Sequence, residues 1–147
     1  MLLTEFSLDS RNLWVGIGCQ RGTSQELIEA AIAHVFRENQ LSQNAIAGIA
    51  TIDNKADEVG LVELCRENNW LIKTFAAEIL CTVCVPNPSQ LIHKHIKTPS
   101  VAEAAALCAA ESKYLLVPKQ IFRCAIDNHK GTVTVAIAQV ETSRIKA

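Results

Sequence analysis

The sequence predicts an α/β fold, a three-layer α/β/α domain with a mixed, mostly parallel sheet and a C-terminal antiparallel hairpin. Short apolar runs alternate with helical patterns over the first three quarters of the chain, as in folds built from right-handed crossovers. Two strand-like runs near the C-terminus flank a turn, which is typical of a hairpin. The 147 residues are 49% hydrophobic, which is enough for one core. We therefore expect a single domain over residues 1–147.

The first unit is a buried strand, a glycine-rich turn and a helix. The strand is predicted over residues 13–18. Thr23 and Glu26 have the spacing of a capping box and predict where the helix begins. The helix is predicted over residues 24–38, where four apolar side chains fall on one face: Ile28, Ile32, Val35 and Phe36.

The middle of the chain continues the alternation of strands and helices. Ser100 and Glu103 form a second capping-box pair, in which we expect the Glu103 carboxylate to bond back to Ser100. This pair opens an alanine-rich helix that runs to about residue 111. The elements before it are a strand over 45–52, helices over 57–68 and 76–81, a strand over 70–75, an extended segment over 82–85 and a helix from Asn87-Pro88-Ser89 to about residue 96.

The C-terminal part of the chain reads as strands. A short strand is predicted over residues 114–117. Residues 120–126 and 132–140 are predicted to pair as a hairpin around the turn Asp127-Asn128-His129-Lys130-Gly131. The antiparallel part of the sheet should therefore lie at this end of the chain.

Charge and composition exclude several classes of function. The formal net charge of −1 lacks the basic excess of a nucleic-acid-binding protein. No stretch approaches the ~18 uninterrupted apolar residues of a membrane span, and the N-terminus has no signal-peptide pattern. We expect a cytoplasmic protein with no nucleic-acid or membrane partner, whose six cysteines are mostly reduced thiols.

The glycine-rich turn, Gly16-Ile17-Gly18-Cys19-Gln20-Arg21-Gly22-Thr23-Ser24, is a candidate anion site. It fails the dinucleotide pattern G-x-G-x-x-G because Arg21 stands at the third glycine position. Its glycines still allow close approach of a ligand, and Arg21 can bind a carboxylate through two parallel hydrogen bonds. Thr23 and Ser24 add hydroxyl groups. The alternative is a tight strand-to-helix turn with Arg21 in solvent.

A second polar loop, Thr51-Ile52-Asp53-Asn54-Lys55-Ala56-Asp57-Glu58, follows the second strand. Lys55 can bind an acid group or polarise a carbonyl, and Asp53 or Glu58 can serve as a general base if its pKa is raised. The alternative is a solvated loop in which Asp57 caps the helix. Ligands of open α/β sheets bind beyond the carboxyl ends of the strands, so loops 18–24, 53–58 and 97–103 are expected to line one cleft.

The sequence contains no convincing motif for a metal or a cofactor. Cys81-Thr82-Val83-Cys84 has zinc-like spacing but no second pair, and His93 and His95 point to different faces of a helix. We therefore predict no metal and no cofactor. Cys19 is either a nucleophile activated near a helix start or a small packing residue.

These motifs, taken together and in this order, resemble those of a known family. The chain is similar to the C-terminal domain of CbiG, a protein of cobalamin (vitamin B12) biosynthesis, and to its stand-alone relative CobE. The resemblance covers nearly the whole chain, although Lys97-Thr98-Pro99 stands where the family usually has a glycine. It is carried by the glycine-rich turn, the loop 51–58, Val85-Pro86-Asn87-Pro88-Ser89, Ser100-Val101-Ala102-Glu103-Ala104-Ala105-Ala106, Leu115-Leu116-Val117 with Lys119, and residues 133–138.

The resemblance implies a role in making the corrin ring. Full-length CbiG proteins are cobalt-precorrin-5A hydrolases, which open a ring lactone and release acetaldehyde. The implied ligand is a polycarboxylate tetrapyrrole, a cobalt-precorrin or precorrin, and other cobalamin-biosynthesis proteins are implied partners. A homodimer is compatible with the sequence. Three alternatives stay open: a hydrolase or its C-terminal component, a CobE-like binding protein without catalysis, and a protein–protein adaptor of the same pathway.

The candidate site residues come from the two loops, the second capping box and the lysine after Pro118. That lysine, Lys119, is otherwise a solvent-facing side chain. The candidate catalytic residues are Lys55, Glu58 and Asp53. The candidate substrate-binding residues are Gly16, Gly18, Cys19, Arg21, Gly22, Thr23, Ser24, Lys55, Ser100, Glu103 and Lys119.

Overall fold

A computed structural model of the chain describes residues 11–55, 58–82, 100–124 and 131–140, which form one five-stranded sheet flanked by helices. Short 3₁₀ helices at Gln43–Ala45 and Asp53–Lys55 precede and follow the second strand. The elements in chain order are β1 Leu13–Cys19, α1 Gln25–Glu38, β2 Ile46–Ile52, α2 Val59–Asn68, β3 Leu71–Phe75, α3 Ala77–Leu80, α4 Val101–Ala110, β4 Leu115–Cys124 and β5 Gly131–Gln139.

The sheet is mixed, with the strand order β3-β2-β1-β5-β4. Strand β1 is parallel to β2, and β2 is parallel to β3. Strand β5 lies antiparallel between β1 and β4, and Cys124 of β4 pairs with Gly131 of β5. Four strands therefore share one direction and only β5 opposes them. The predicted α/β fold with a C-terminal antiparallel hairpin is confirmed.

The two faces of the sheet pack into separate apolar clusters. Alternate residues of β1 divide between them, since Val15 and Ile17 join α1 and α2 on one face and Trp14 joins α4 on the other. Lys73 of β3 lies over the Trp14 ring, with its Nζ 4.7 Å from the ring centre. The period of two along the strand thus produces the three predicted layers.

Helix α4 is buried on nearly every side, with eight of its ten residues inaccessible. It lies directly on β1, where a Cβ added to Gly16 would collide with the carbonyl oxygen of Ala102. Gly16 is therefore needed for helix packing. This close contact places the start of α4 beside the carboxyl end of β1.

Strand β4 joins two segments that the sequence predicted separately, over 114–117 and 120–126. Its pairing with β5 shifts register between Leu115 and Val117 and again between Val117 and Gln120. Leu115 consequently packs with the cluster under α4, whereas Val117 belongs to the cluster under α1. The predicted interruption at Pro118 is a bulged part of one strand.

Several predicted helix starts need correction. Ser24 caps α1, because its Oγ accepts from Leu27 N at 3.1 Å, while Thr23 Oγ1 donates to the Gln20 carbonyl at 2.6 Å. Helix α2 has Glu58 at its N-cap position, and Asp57, the predicted cap, lies outside the described residues. Thr82 lies in a turn, where an extended segment over 82–85 was predicted, and the rest of that segment and the predicted helix over 87–96 are outside the described residues.

Candidate functional site

Two cavities are lined by residues at or just after the end of β1, one together with the starts of α1 and α2 and one together with the start of α4. The first has a volume of about 540 Å³ and the second about 260 Å³. Among the predicted substrate-binding residues, the first collects Arg21, Gly22, Thr23 and Ser24, and the second collects Gly18, Ser100 and Lys119. In the described part of the chain, the residues predicted to share one cleft are thus distributed over two cavities.

A carboxylate of the protein itself fills the glycine-rich turn. Glu58 Oε2 accepts a hydrogen bond from Arg21 Nη1 at 2.5 Å, and Glu58 Oε1 accepts from the backbone amide of Gly22 at 3.0 Å. The Arg21 side chain is 61% exposed, whereas Glu58 is almost fully buried. The carboxylate held by the turn comes from the start of α2, whereas the sequence predicted one from a ligand, so ligand binding by the turn stays a prediction.

The turn is also tied to the second polar loop. Arg21 Nη2 donates to the carbonyl oxygen of Asn54 at 3.2 Å. Thr51 Oγ1 donates to the carbonyl oxygen of Ile17 at 2.8 Å in the sheet interior. Asp53 is exposed, and the Lys55 side chain lies outside the described residues. The structure therefore brings Arg21 to the loop after β2, while the roles of Asp53 and Lys55 stay predictions.

Gly60, which the sequence analysis did not single out, lets α2 approach the start of α1. A Cβ at this position would lie 2.7 Å from the carbonyl oxygen of Thr23. A glycine inside the predicted helix over 57–68 is the signal that could have pointed to it, because glycine is unfavourable in a helix interior. The two helix N-termini that border the first cavity depend on this close contact.

The second cavity combines polar groups with an apolar wall. Ser100 caps α4, accepting from the amide of Glu103 at 3.4 Å, and Lys119 comes from the bulged part of β4. Ile121, which is 49% exposed, and Thr134 of β5 also line this cavity. These two residues were not predicted, because only the antiparallel register of β5 brings them to Gly18.

Glu103 follows Ala102, a residue that lines this second cavity, and is itself fully buried. Its Oε2 accepts a hydrogen bond from the backbone amide of Lys119 at 2.9 Å. The capping box accounts for the amide of Glu103, but the bond to β4 was not foreseen. A ligand contact by the Glu103 side chain stays a prediction.

Two of the cysteines in the described residues are poor candidates for a nucleophile. Burial raises the pKa of Cys65 to about 12 and raises that of Cys108, which disfavours their thiolates. Cys19 is half-buried against the core beneath α1. Cys84, His93 and His95 are outside the described residues.

Two further findings concern the described residues alone. Residues 11–55, 58–82, 100–124 and 131–140 contain no group of three histidine, cysteine, aspartate or glutamate side chains placed to hold a metal ion. No helix within these ranges has the length and apolar character required to span a bilayer.

Comparisons with known proteins agree on one family. The family described as Cobalamin synthesis G C-terminus matches residues 13–138. A cobalt-precorrin-5A hydrolase of Priestia megaterium is 29% identical over 128 residues, which are 87% of this chain and 32% of that protein. The chain thus spans about a third of the length of this curated relative.

Solved structures resemble the whole described fold. CobE, a protein from the cobalamin biosynthetic pathway, is 30% identical with a TM-score of 0.70, covering 87% of this chain and 89% of CobE. The cobalamin biosynthesis protein chiG of Agrobacterium tumefaciens is 31% identical with a TM-score of 0.64, covering 88% of this chain and 98% of chiG. A cobalamin biosynthesis protein G homolog from Sulfolobus solfataricus is 23% identical with a TM-score of 0.65 and shares the fold over 88% of this chain and 37% of its own chain.

Proposed function

Because the chain belongs to the Cobalamin synthesis G C-terminus family, we propose that it binds a polycarboxylate tetrapyrrole intermediate of corrin synthesis. The chain is related to the C-terminal domain of cobalt-precorrin-5A hydrolase. In this proposal it is a single domain that acts in the cytoplasm, without a cofactor, and holds or hands over the tetrapyrrole to other proteins of the pathway.

The second cavity, which we call the α4 cavity, is the observation that supports this proposal most directly. It places Ser100, Lys119 and the start of a ten-residue helix around Gly18. A lysine and a helix N-terminus both favour negative charge, and Ile121 offers apolar surface for a macrocycle. A tetrapyrrole with peripheral carboxylates has both features, an apolar ring and an anionic rim.

The first cavity extends the same polar edge of the sheet. The Arg21 guanidinium is bound to Glu58 on one side, and most of its surface remains exposed. A second carboxylate can therefore approach Arg21 from solvent, beside the N-termini of α1 and α2. In the proposed complex the ring covers the α4 cavity, and carboxylates at its rim reach toward this arginine.

Glu58 is better suited to holding the turn than to activating water. Both of its oxygens accept hydrogen bonds, from Arg21 and from Gly22. A carboxylate with both oxygens engaged by the protein is poorly placed to take a proton from a water molecule. We therefore place binding without hydrolysis first. Hydrolysis is the second candidate, and the 29% identity to the Priestia megaterium enzyme favours it.

Titration with hydrogenobyrinic acid tests the proposal. The absorbance spectrum of the corrin should change on binding, and affinity should fall as salt is raised, since carboxylates make the contacts. The control ligand is a corrin whose side chains are all amides, which should bind much more weakly. Equal binding of both ligands, or no binding of the acid, would contradict the proposal.

Two isoleucines of similar exposure give a matched pair of variants. Ile121 in the α4 cavity is 49% exposed, and Ile79 of α3, which lines neither cavity, is 51% exposed. Ile121→Asp adds negative charge where the anionic ligand is proposed to bind, so affinity should fall at least tenfold. Ile79→Asp should bind like the wild type. Equal effects of the two changes would move the binding site elsewhere.

A further inference from the structure

We infer that Glu103 is a positioning residue, whose buried carboxylate holds the backbone of Lys119 so that this lysine faces the α4 cavity. The inference rests on the proposed function, because it makes Lys119 the cation that meets a ligand carboxylate. It changes the role of Glu103 from a group that touches the ligand to one that acts through its neighbour.

The starting point is the irregular pairing of β4. Between Val117 and Gln120 the strand advances three residues while its partner advances two, from Ile137 to Val135. One residue of β4 is therefore in excess, and the ladder is disrupted at Pro118 and Lys119. Proline has no N–H to donate, and bulges of this kind commonly redirect a side chain near a site.

The disrupted ladder leaves the amide of Lys119 in need of a partner other than β5. Glu103 Oε2 supplies it across a distance of 2.9 Å, from the third residue of α4. A hydrogen bond to an ionised carboxylate is roughly twice as strong as a neutral one. The bulge is therefore tied to helix α4, which is itself packed against Gly16 of β1.

The burial of Glu103 separates its role from that of the residues at the cavity surface. Glu103 is fully buried, while Ser100 and Lys119 are half-buried and line the cavity. Near the start of α4 the helix dipole favours the negative charge of Glu103. The carboxylate thus shapes the site from below, where it does not meet an anionic ligand.

A double-mutant cycle in the full chain tests this role, with hydrogenobyrinic acid as the probe. Lys119→Ala should weaken binding about tenfold, as expected for loss of one charge-assisted contact. Glu103→Leu should weaken it by a similar factor, and the double variant should be no weaker than Lys119→Ala alone. Glu103→Gln should rescue binding, because its amide oxygen can accept from the same N–H.

Hydrogen exchange at the Lys119 amide gives a readout that does not need the ligand. Exchange should accelerate in Glu103→Leu and stay slow in Glu103→Gln. If Glu103→Leu fails to fold, Glu103→Asp replaces it, because the shorter carboxylate cannot keep the contact with the Lys119 amide. This variant should show both weaker corrin binding and faster exchange of that amide.

The two proposals fail in different ways. Absence of corrin binding by the wild type would reject the proposed function, and with it the role of Lys119 in that function. Normal binding by the wild type with unchanged affinity in Lys119→Ala, or additive losses in the double variant, would overturn the positioning role alone. Unchanged exchange of the Lys119 amide in both Glu103→Leu and Glu103→Asp would also overturn it.

Discussion

At the scale of single residues, the two buried carboxylates share one structural task. Glu58 and Glu103 are the only buried acidic side chains in the described ranges, and each accepts from the backbone amide of another segment. Glu58 holds Gly22 of the glycine-rich turn, and Glu103 holds Lys119 of the β4 bulge. Both stand at the start of a helix, where a negative charge is favoured. Each therefore connects a loop of the candidate site to a helix.

Removing the Glu58 carboxylate should destabilise the fold. Glu58→Ala takes a partner from Gly22 and Arg21, and we expect the free energy of unfolding to fall by about 2 kcal/mol. The control is Glu63→Ala in the same helix, whose ion pair with Arg66 is exposed and should contribute less than about 0.5 kcal/mol. Urea unfolding of both variants measures the difference. An equal fall in unfolding free energy for the two variants would show that the Glu58 contacts stabilise the fold no more than the surface ion pair does.

Sequence reasoning found the chemistry of Arg21 but not its partner. The glycine spacing and the arginine predicted a turn that binds a ligand carboxylate, and in the structure the turn holds the carboxylate of Glu58. Glu58 is 37 residues further along the chain, and only the parallel pairing of β1 with β2 brings the two loops together. Local sequence does not show that Arg21 and Glu58 meet in the fold, so Glu58 was expected to be available as a base.

At the scale of elements, the close contact between α4 and β1 organises the second cavity. Both elements were predicted nearly to the residue, because a continuous apolar run that ends at a glycine turn indicates the strand and a capping box indicates the helix start. The pattern did not show that Gly16 serves this contact. A glycine at a strand end is equally typical of ligand approach and of helix packing, and only the position of Ala102 distinguishes the two.

A methyl group at Gly16 should separate these elements. Gly16→Ala places a Cβ against the carbonyl oxygen of Ala102, which is backbone and cannot turn aside, so α4 must shift. We expect a loss of about 3 kcal/mol in unfolding free energy, within the range of overpacked cores. Gly18→Ala is the matched control, since the nearest atom would lie 3.7 Å away on Thr134. Thermal or urea unfolding should rank the variants in this order, and a tolerated Gly16→Ala would contradict the packing role.

The elements that sequence reasoning placed less well are those set by tertiary contacts. Thr23 and Ser24 are adjacent hydroxyl residues, and either can cap a helix, so spacing to Glu26 favoured the wrong one. The β4 strand was divided at Pro118, because proline is typical of strand ends. The structure keeps one strand through a bulge, at which the Lys119 amide donates to Glu103, sixteen positions earlier in the sequence.

At the scale of the whole molecule, the topology concentrates the family's motifs at one edge of the sheet. The glycine-rich turn follows β1, the second polar loop follows β2, and the start of α4 lies beside the end of β1. Strand β5, inserted between β1 and β4, adds Thr134 to the same edge and brings β4 within reach. A fold that spans about a third of a hydrolase thereby carries a polar edge of its own.

Because the chain spans about a third of the related hydrolase, we predict that it does not catalyse the hydrolysis by itself. The purified chain, incubated with cobalt-precorrin-5A, should bind the substrate but release no acetaldehyde, because its buried Glu58 is occupied by Arg21 and Gly22. The full-length hydrolase of Priestia megaterium, run in parallel, shows that the substrate and the acetaldehyde assay are sound. Acetaldehyde release by this chain that is lost in Glu58→Gln would instead make Glu58 the base, and would mean that a bound ligand frees its carboxylate from the turn. Release that persists in this variant would place the chemistry on other residues, with the loop 53–55 the first to be tested.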